Sequence, residues 1–265
     1  MLLASVMKVL EELAPLRYAE AWDNVGLLVG DPQADITKVL VTVDYTAEVA
    51  DEAVKGGATL VVAYHPALFA AVKRVPHDAL WADAVRRGIA LYSPHTALDV
   101  VRAGTNDFLA DACGMHESKR RPLRPYLARP GASEPEGIGL GRIGATVATT
   151  TRGELVARLK AKLGLRYVLV SGPSDGTAAT VAVAAGAGGE LLEDALNAGA
   201  DVFVTGEVRH HDALSAARRG VTVIATLHSN SERPAVGAYA VRLAQRLPGV
   251  AVTVSAQDRD PFVVM

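Results

Sequence analysis

Short β-branched runs separated by helix-length stretches recur along the whole chain, and this alternation limits the possible folds more than any other feature. Val39–Val43, Thr59–Ala63 and Ile89–Tyr92 read as buried strands in the first half, and Thr180–Ala184, Asp201–Thr205 and Val221–Ala225 in the second. Helical patterns lie between them over Thr46–Lys55, Asp78–Arg87, Leu191–Ala198 and Ala213–Arg219. Strands alternating with helices predict an α/β fold of largely parallel sheets covered by helices. With 265 residues, half of them apolar, the chain can fill one large core or two ordinary ones.

A weak internal repeat favours two. The first half contains Glu52-Ala53-Val54-Lys55-Gly56-Gly57-Ala58 leading into a strand that ends at His65, and the second Asp194-Ala195-Leu196-Asn197-Ala198-Gly199-Ala200 leading into one that ends at Glu207. Gly57 and Gly199 fit the left-handed terminus of a helix. Further on, Arg86-Arg87-Gly88 and Arg218-Arg219-Gly220 each precede an apolar strand, which runs into a histidine with an acid four residues later: His95 with Asp99, and His228 with Glu232. The shared order points to two similar α/β domains. The segment 120–141, rich in Pro, Arg and Gly, is the natural connection, which gives domains 1–125 and 126–265; the C-terminal segment is able to pack back on the first.

Charge and cysteine content narrow the function. A net charge near −2 favours neither nucleic acid nor an acidic membrane surface. Cys113 is the single cysteine, so no internal disulfide forms, which fits a reducing compartment. The opening Met1–Leu16 is interrupted by Lys8, Glu11 and Glu12 and reads as an amphipathic helix rather than a signal segment, and no apolar run reaches the roughly 18–20 residues needed to span a bilayer. A cytoplasmic protein is expected.

In parallel α/β sheets, ligands bind beyond the carboxyl ends of the strands. His65, His95, Asp99, Glu207 and His228 all follow a strand pattern there. Imidazole nitrogens and carboxylate oxygens together suit Zn, Mn or Fe. Each residue alone reads equally well as a loop hydrogen-bonder or a helix cap, but the repeat makes His65, Asp99, His228 and Glu232 a joint metal-ligand set. His77 and His116 follow no strand, and His210 with His211 either face the site or simply open a helix. The turn Gly186-Ala187-Gly188-Gly189 leaves two readings: a phosphate cradle built from Gly186, Gly188 and Gly189, or a tight strand-to-helix turn without ligand. No serine or cysteine nucleophile signature is present.

Several stretches resemble one family in its own order: Trp22-Asp23-Asn24-Val25-Gly26-Leu27, Tyr64-His65-Pro66, His95-Thr96-Ala97-Leu98-Asp99 and Gly104-Thr105-Asn106-Asp107, then Gly199-Ala200-Asp201, Thr205-Gly206-Glu207, His211, and His228 with Glu232. This is the dinuclear-metal family named after the yeast NGG-interacting factor three, also described as GTP cyclohydrolase I type two. The resemblance implies a metal site in the cleft between two α/β domains, and a ring-shaped homohexamer. It implies His65, Asp99, His228 and Glu232 as ligands of one or two divalent ions, with His95 near the metals. Glu207 and His211 become candidate proton carriers. The implied function is a metal-dependent hydrolase acting on GTP, another nucleotide or a phosphoester; the alternative is a non-catalytic metal-binding or regulatory hexamer. One departure stands out: the family's motif opens with two adjacent histidines, and here the first is Tyr64. A phenol with its ordinary pKa near about 10 is a poor ligand at neutral pH, so one ion is expected to bind tightly and the second weakly.

Overall fold

The computed structural model describes residues 1–127 and 135–265. In chain order, the first part runs α1 (Leu3–Leu13), β1 (Gly26–Val29), β2 (Lys38–Thr42), α2 (Ala47–Gly56), β3 (Leu60–Ala63), α3 (Leu80–Arg87), β4 (Ala90–Ser93) and α4 (His95–Val100). Next come α5 (Thr105–Cys113), the two-residue strands β5 (Arg124–Pro125) and β6 (Gly139–Leu140), β7 (Arg142–Ala145), α6 (Arg152–Leu163) and β8 (Leu169–Ser171). The chain closes with β9 (Thr180–Ala184), α7 (Leu192–Asn197), β10 (Val202–Thr205), α8 (His210–Arg218), β11 (Thr222–Ala225), α9 (Arg233–Arg246) and β12 (Ala251–Val254). No helix among the described residues is long and apolar enough to cross a membrane.

The residues divide into two units. The first is Met1–Leu98 with Val236–Met265. Its sheet has the order β1-β4-β3-β2-β12, with β1 antiparallel to β4 and the other pairings parallel. The central strand β3 is apolar and buried along its whole length, as expected where both faces of a parallel sheet are covered. α1 buries Leu3, Val6, Leu10 and Leu13, one stripe of an amphipathic helix. The Thr46 hydroxyl accepts the Val49 N–H to start α2, and Gly57, with φ +69°, ends it.

The second unit is Asp99–Ala235. Its sheet has the order β7-β9-β10-β11-β8; β9, β10 and β11 are parallel and both edge strands antiparallel. Side chains alternate between two cores, as a period of two requires. Val181, Val183, Val202, Val204 and Ile224 pack with Leu109, Leu155 and Leu159, while Ala182, Phe203 and Val223 pack with Leu191, Leu192 and Ala195. The repeat is visible as topology: β2-β3-β4 and β9-β10-β11 are equivalent parallel runs, each flanked on its last strand by an antiparallel edge, β1 or β8.

The division falls at Leu98/Asp99, ahead of the 125/126 break that the Pro- and Arg-rich segment predicts. α5 belongs to the second unit, where Leu109, Ala110 and Cys113 join its core and a buried ion pair adds to the packing. Arg142 opens β7 at 2 % exposure, and its Nε donates to Asp107 Oδ1 of α5 at 2.7 Å. Its remaining N–H groups donate to the carbonyls of Gly139, Gly141 and Val101 at 2.7–2.9 Å. Asp107 also accepts from the Ala103 N–H at 2.7 Å and faces Arg120 Nε at 3.0 Å. Asn106 accepts the Ala185 N–H at the end of β9 and donates to the Asp99 carbonyl. Thr105-Asn106-Asp107 thus fastens α5 to the second sheet. Residues 128–134 of the expected connection lie outside the described residues.

Candidate metal centre

In the first unit, β3 runs out into Tyr64 and His65, whose N–H groups still pair with the Thr42 and Val43 carbonyls. In a regular strand such neighbours point to opposite faces. Here their ring centroids are only 5.0 Å apart, and His95, at the start of α4, lies 5.6 Å from Tyr64 and 5.4 Å from His65. His95 has φ +30°, a rare conformation for a side-chain-bearing residue. Asp99 occupies the last turn of the same helix, half-buried.

Both imidazoles are oriented by carboxylates. Asp44 Oδ1 lies 2.8 Å from His65 Nδ1, and Asp23 Oδ1 lies 2.8 Å from His95 Nδ1. Burial acts to raise the Asp23 carboxyl, but hydrogen bonds from His95 and Thr96 outweigh it and hold the group below the usual carboxylate range. Asp258, after β12, accepts the Val43 N–H at 3.1 Å, which steadies the strand end carrying Asp44.

In the second unit, Leu227 turns the chain at φ +69° and presents His228. His228 Nδ1 lies 3.1 Å from Glu207 Oε1, and its Nε2 lies 3.4 Å from Glu232 Oε1. Glu207 is half-exposed, and Glu232 is buried at 2 %. Gly186 packs against this pair: with φ +62°, any Cβ there would fall 2.4 Å from Glu232 Oε1 and 3.3 Å from His228 Nε2. The glycine-rich turn is therefore shaped by packing. The Gly186 N–H donates to Ser231 Oγ, and Gly188 faces Ala184 and Thr205 at distances that admit no side chain. Gly189 opens a short 3-10 turn with Gly188. His211 sits exposed in the first turn of α8, its ring edge-on to His210 at 5.3 Å.

Three histidines, His65, His95 and His228, share one device. A carboxylate within hydrogen-bond reach of Nδ1 favours the Nδ1–H tautomer with Nε2 as the acceptor, the arrangement by which outer carboxylates orient imidazoles in metal sites. The donor chemistry fits a divalent ion: two donors each about 2.05 Å from a tetrahedral ion lie roughly 3.3 Å apart, close to the 3.4 Å between His228 Nε2 and Glu232 Oε1. Sequence reasoning missed Asp44, although it stands just past β2 as His65 stands just past β3. It quoted Asp23 without a role, because a contact across 72 residues has no local signature.

A family model described as Duf34/NIF3 (NGG1p interacting factor 3) matches residues 1–261. A fission yeast (Schizosaccharomyces pombe) relative, "Protein NIF3 homolog", is 34% identical over 99% of this chain and 98% of its own. A Clostridium perfringens relative, "GTP cyclohydrolase 1 type 2 homolog", is 30% identical over 99% of each. The crystal structure of a Staphylococcus aureus protein superposes with a TM-score of 0.89 at 26% identity, covering 100% of this chain and 99% of that one. Shared fold and full-length similarity agree: the chain belongs to the Duf34/NIF3 family.

Proposed function

We propose that the protein is a divalent-metal-dependent hydrolase in which His65, His228 and Glu232 hold the principal ion. What carries the reading is the orientation of imidazoles by Asp44 and Glu207, with His228 Nε2 and buried Glu232 at ligand spacing. The reading takes His65 from the first unit and His228 with Glu232 from the second as the donors of that ion. Two imidazoles and one carboxylate are a usual protein ligand set of a catalytic zinc site, whose fourth position takes water or substrate. Asp99 and His95 are the remaining donors proposed for a second ion. An ion bound by this set lowers the pKa of its water towards neutrality.

The chain's own residues then have definite tasks. Glu207 holds the His228 Nδ1 proton and, being half-exposed, is placed to pass protons to solvent. His211 is the second proposed proton carrier. The relatives named as GTP cyclohydrolase 1 type 2 homologs make hydrolytic opening of a purine imidazole ring the first reaction to test. Assembly into a homohexamer is proposed with it, and sedimentation of a stable monomer at micromolar concentration would count against that part.

The test compares zinc-, iron- or manganese-loaded wild-type protein with Glu232→Gln, measuring metal content and GTP turnover together. Loss of both in the variant supports the hydrolase. Metal retained by wild-type protein with no turnover of GTP or phosphoesters favours the non-catalytic metal-binding alternative.

Tyr64 sets the second metal. It is buried at 2 %, its ring 5.0 Å from that of His65 and 5.6 Å from that of His95, and in this reading it stands where a second histidine would supply a ligand. Wild-type protein is expected to bind one ion tightly, and Tyr64→His to approach two per chain by elemental analysis. Two tight ions in wild-type protein would defeat this expectation.

A further inference from the structure

A groove of about 420 Å³ runs beside β8, the edge strand of the second sheet. Val170, Val208, Ala213, Ala225 and Leu227 line it, and Glu207 is its one charged lining residue among those described. Two of these residues tie the groove to the candidate centre. Glu207 Oε1 lies 3.1 Å from His228 Nδ1, and Leu227 adjoins His228 in the chain at a positive-φ turn.

We propose that this groove is a substrate subsite that takes an uncharged apolar group, such as a short alkyl chain, of a molecule whose hydrolysable end lies at His228. Its volume falls in the range of small-molecule sites, which are mostly apolar with a few placed polar groups. Among the described residues the lining carries no cation that would neutralise a phosphate, and the Glu207 carboxylate repels one. Any phosphate chain of a substrate must therefore lie elsewhere. The inference rests on the metal-hydrolase reading only for the placement of the reacting end; the groove's preference is a property of the second unit itself.

The probes are acetamide, hexanamide and monohexyl phosphate, titrated into metal-free full-length protein with labelled methyl groups and followed by NMR. Hexanamide should shift the methyl signals of Val170, Val208, Ala213 and Leu227. Four added methylenes, at up to about fourfold each when fully buried, should make it bind at least about tenfold more tightly than acetamide. Monohexyl phosphate should bind several-fold more weakly than hexanamide, and Glu207→Gln should remove that penalty. Ala213→Phe, which fills the groove, should abolish the hexanamide shifts while zinc content stays unchanged. Equal binding of the two amides, or shifts confined to other methyls, overturns the proposal whatever the variants do. So does a dimer that Ala213→Phe dissociates and that no amide perturbs, which would assign the groove to a second copy. Hexanamide binding in a protein that takes up no zinc would sink the metal reading and leave the groove standing; zinc uptake without amide binding would do the reverse.

Discussion

Asp107→Ala is expected to remove about 3–5 kcal/mol from the stability of the second unit. Arg142 is 2 % exposed, and Asp107 is the carboxylate that neutralises it. Removing Asp107 leaves a guanidinium buried among carbonyl oxygens, which hold its protons but supply no net charge. It also releases the Ala103 N–H, bonded to Asp107 Oδ2 at 2.7 Å, and frees the turn that leads into α5. Arg142→Met should be costly for a different reason: Asp107 keeps Arg120 and the Ala103 N–H, but the carbonyls of Gly139, Gly141 and Val101 lose their donor. Urea denaturation of metal-free protein, followed by circular dichroism, reads both changes. Values within 1 kcal/mol of wild type for both variants would show that the pair does not hold α5 to the sheet.

Gly186→Ala should leave the protein folded while weakening zinc binding by about 100-fold, the upper end of what outer-sphere changes do to metal sites. The added Cβ would meet Glu232 Oε1 at 2.4 Å, so the carboxylate must swing away. That motion is cheap for a flexible side chain but destroys its spacing to His228 Nε2. The left-handed backbone adds strain of roughly 1–2 kcal/mol, which thermal unfolding of metal-free protein would register separately. Gly189→Ala is the control, since its Cβ would meet nothing closer than the Glu207 carbonyl at 3.5 Å. Zinc titration calorimetry should separate the two variants clearly. Identical affinity in Gly186→Ala and wild type would remove Gly186 from the site and weaken the assignment of Glu232 as a ligand.

Most of the regular structure is legible in the amino-acid order. Strand residues are apolar because both faces of a parallel sheet are covered, and Gly57, Gly88, Gly199 and Gly220 mark helix ends because each adopts a positive φ there. The placement of His65, His95, Glu207 and His228 at strand ends is legible for the same reason: the carboxyl end of a strand is a topological address that periodicity reveals.

What tertiary structure alone decided is which distant groups meet. Asp23 reaches His95 across 72 residues and Asp44 reaches His65 across 21. Arg142 reaches Asp107 across 35 residues, within a unit that begins at Asp99 rather than after the Pro-rich segment. The glycine turn, which sequence leaves with two readings, packs against Glu232 and His228, because sequence reports where a backbone bends but not what fills the space beside the bend. A local pattern is set by the period of one helix or strand. An ion pair or a close approach is set by the path of the chain between its partners, and no window of neighbouring residues contains that path.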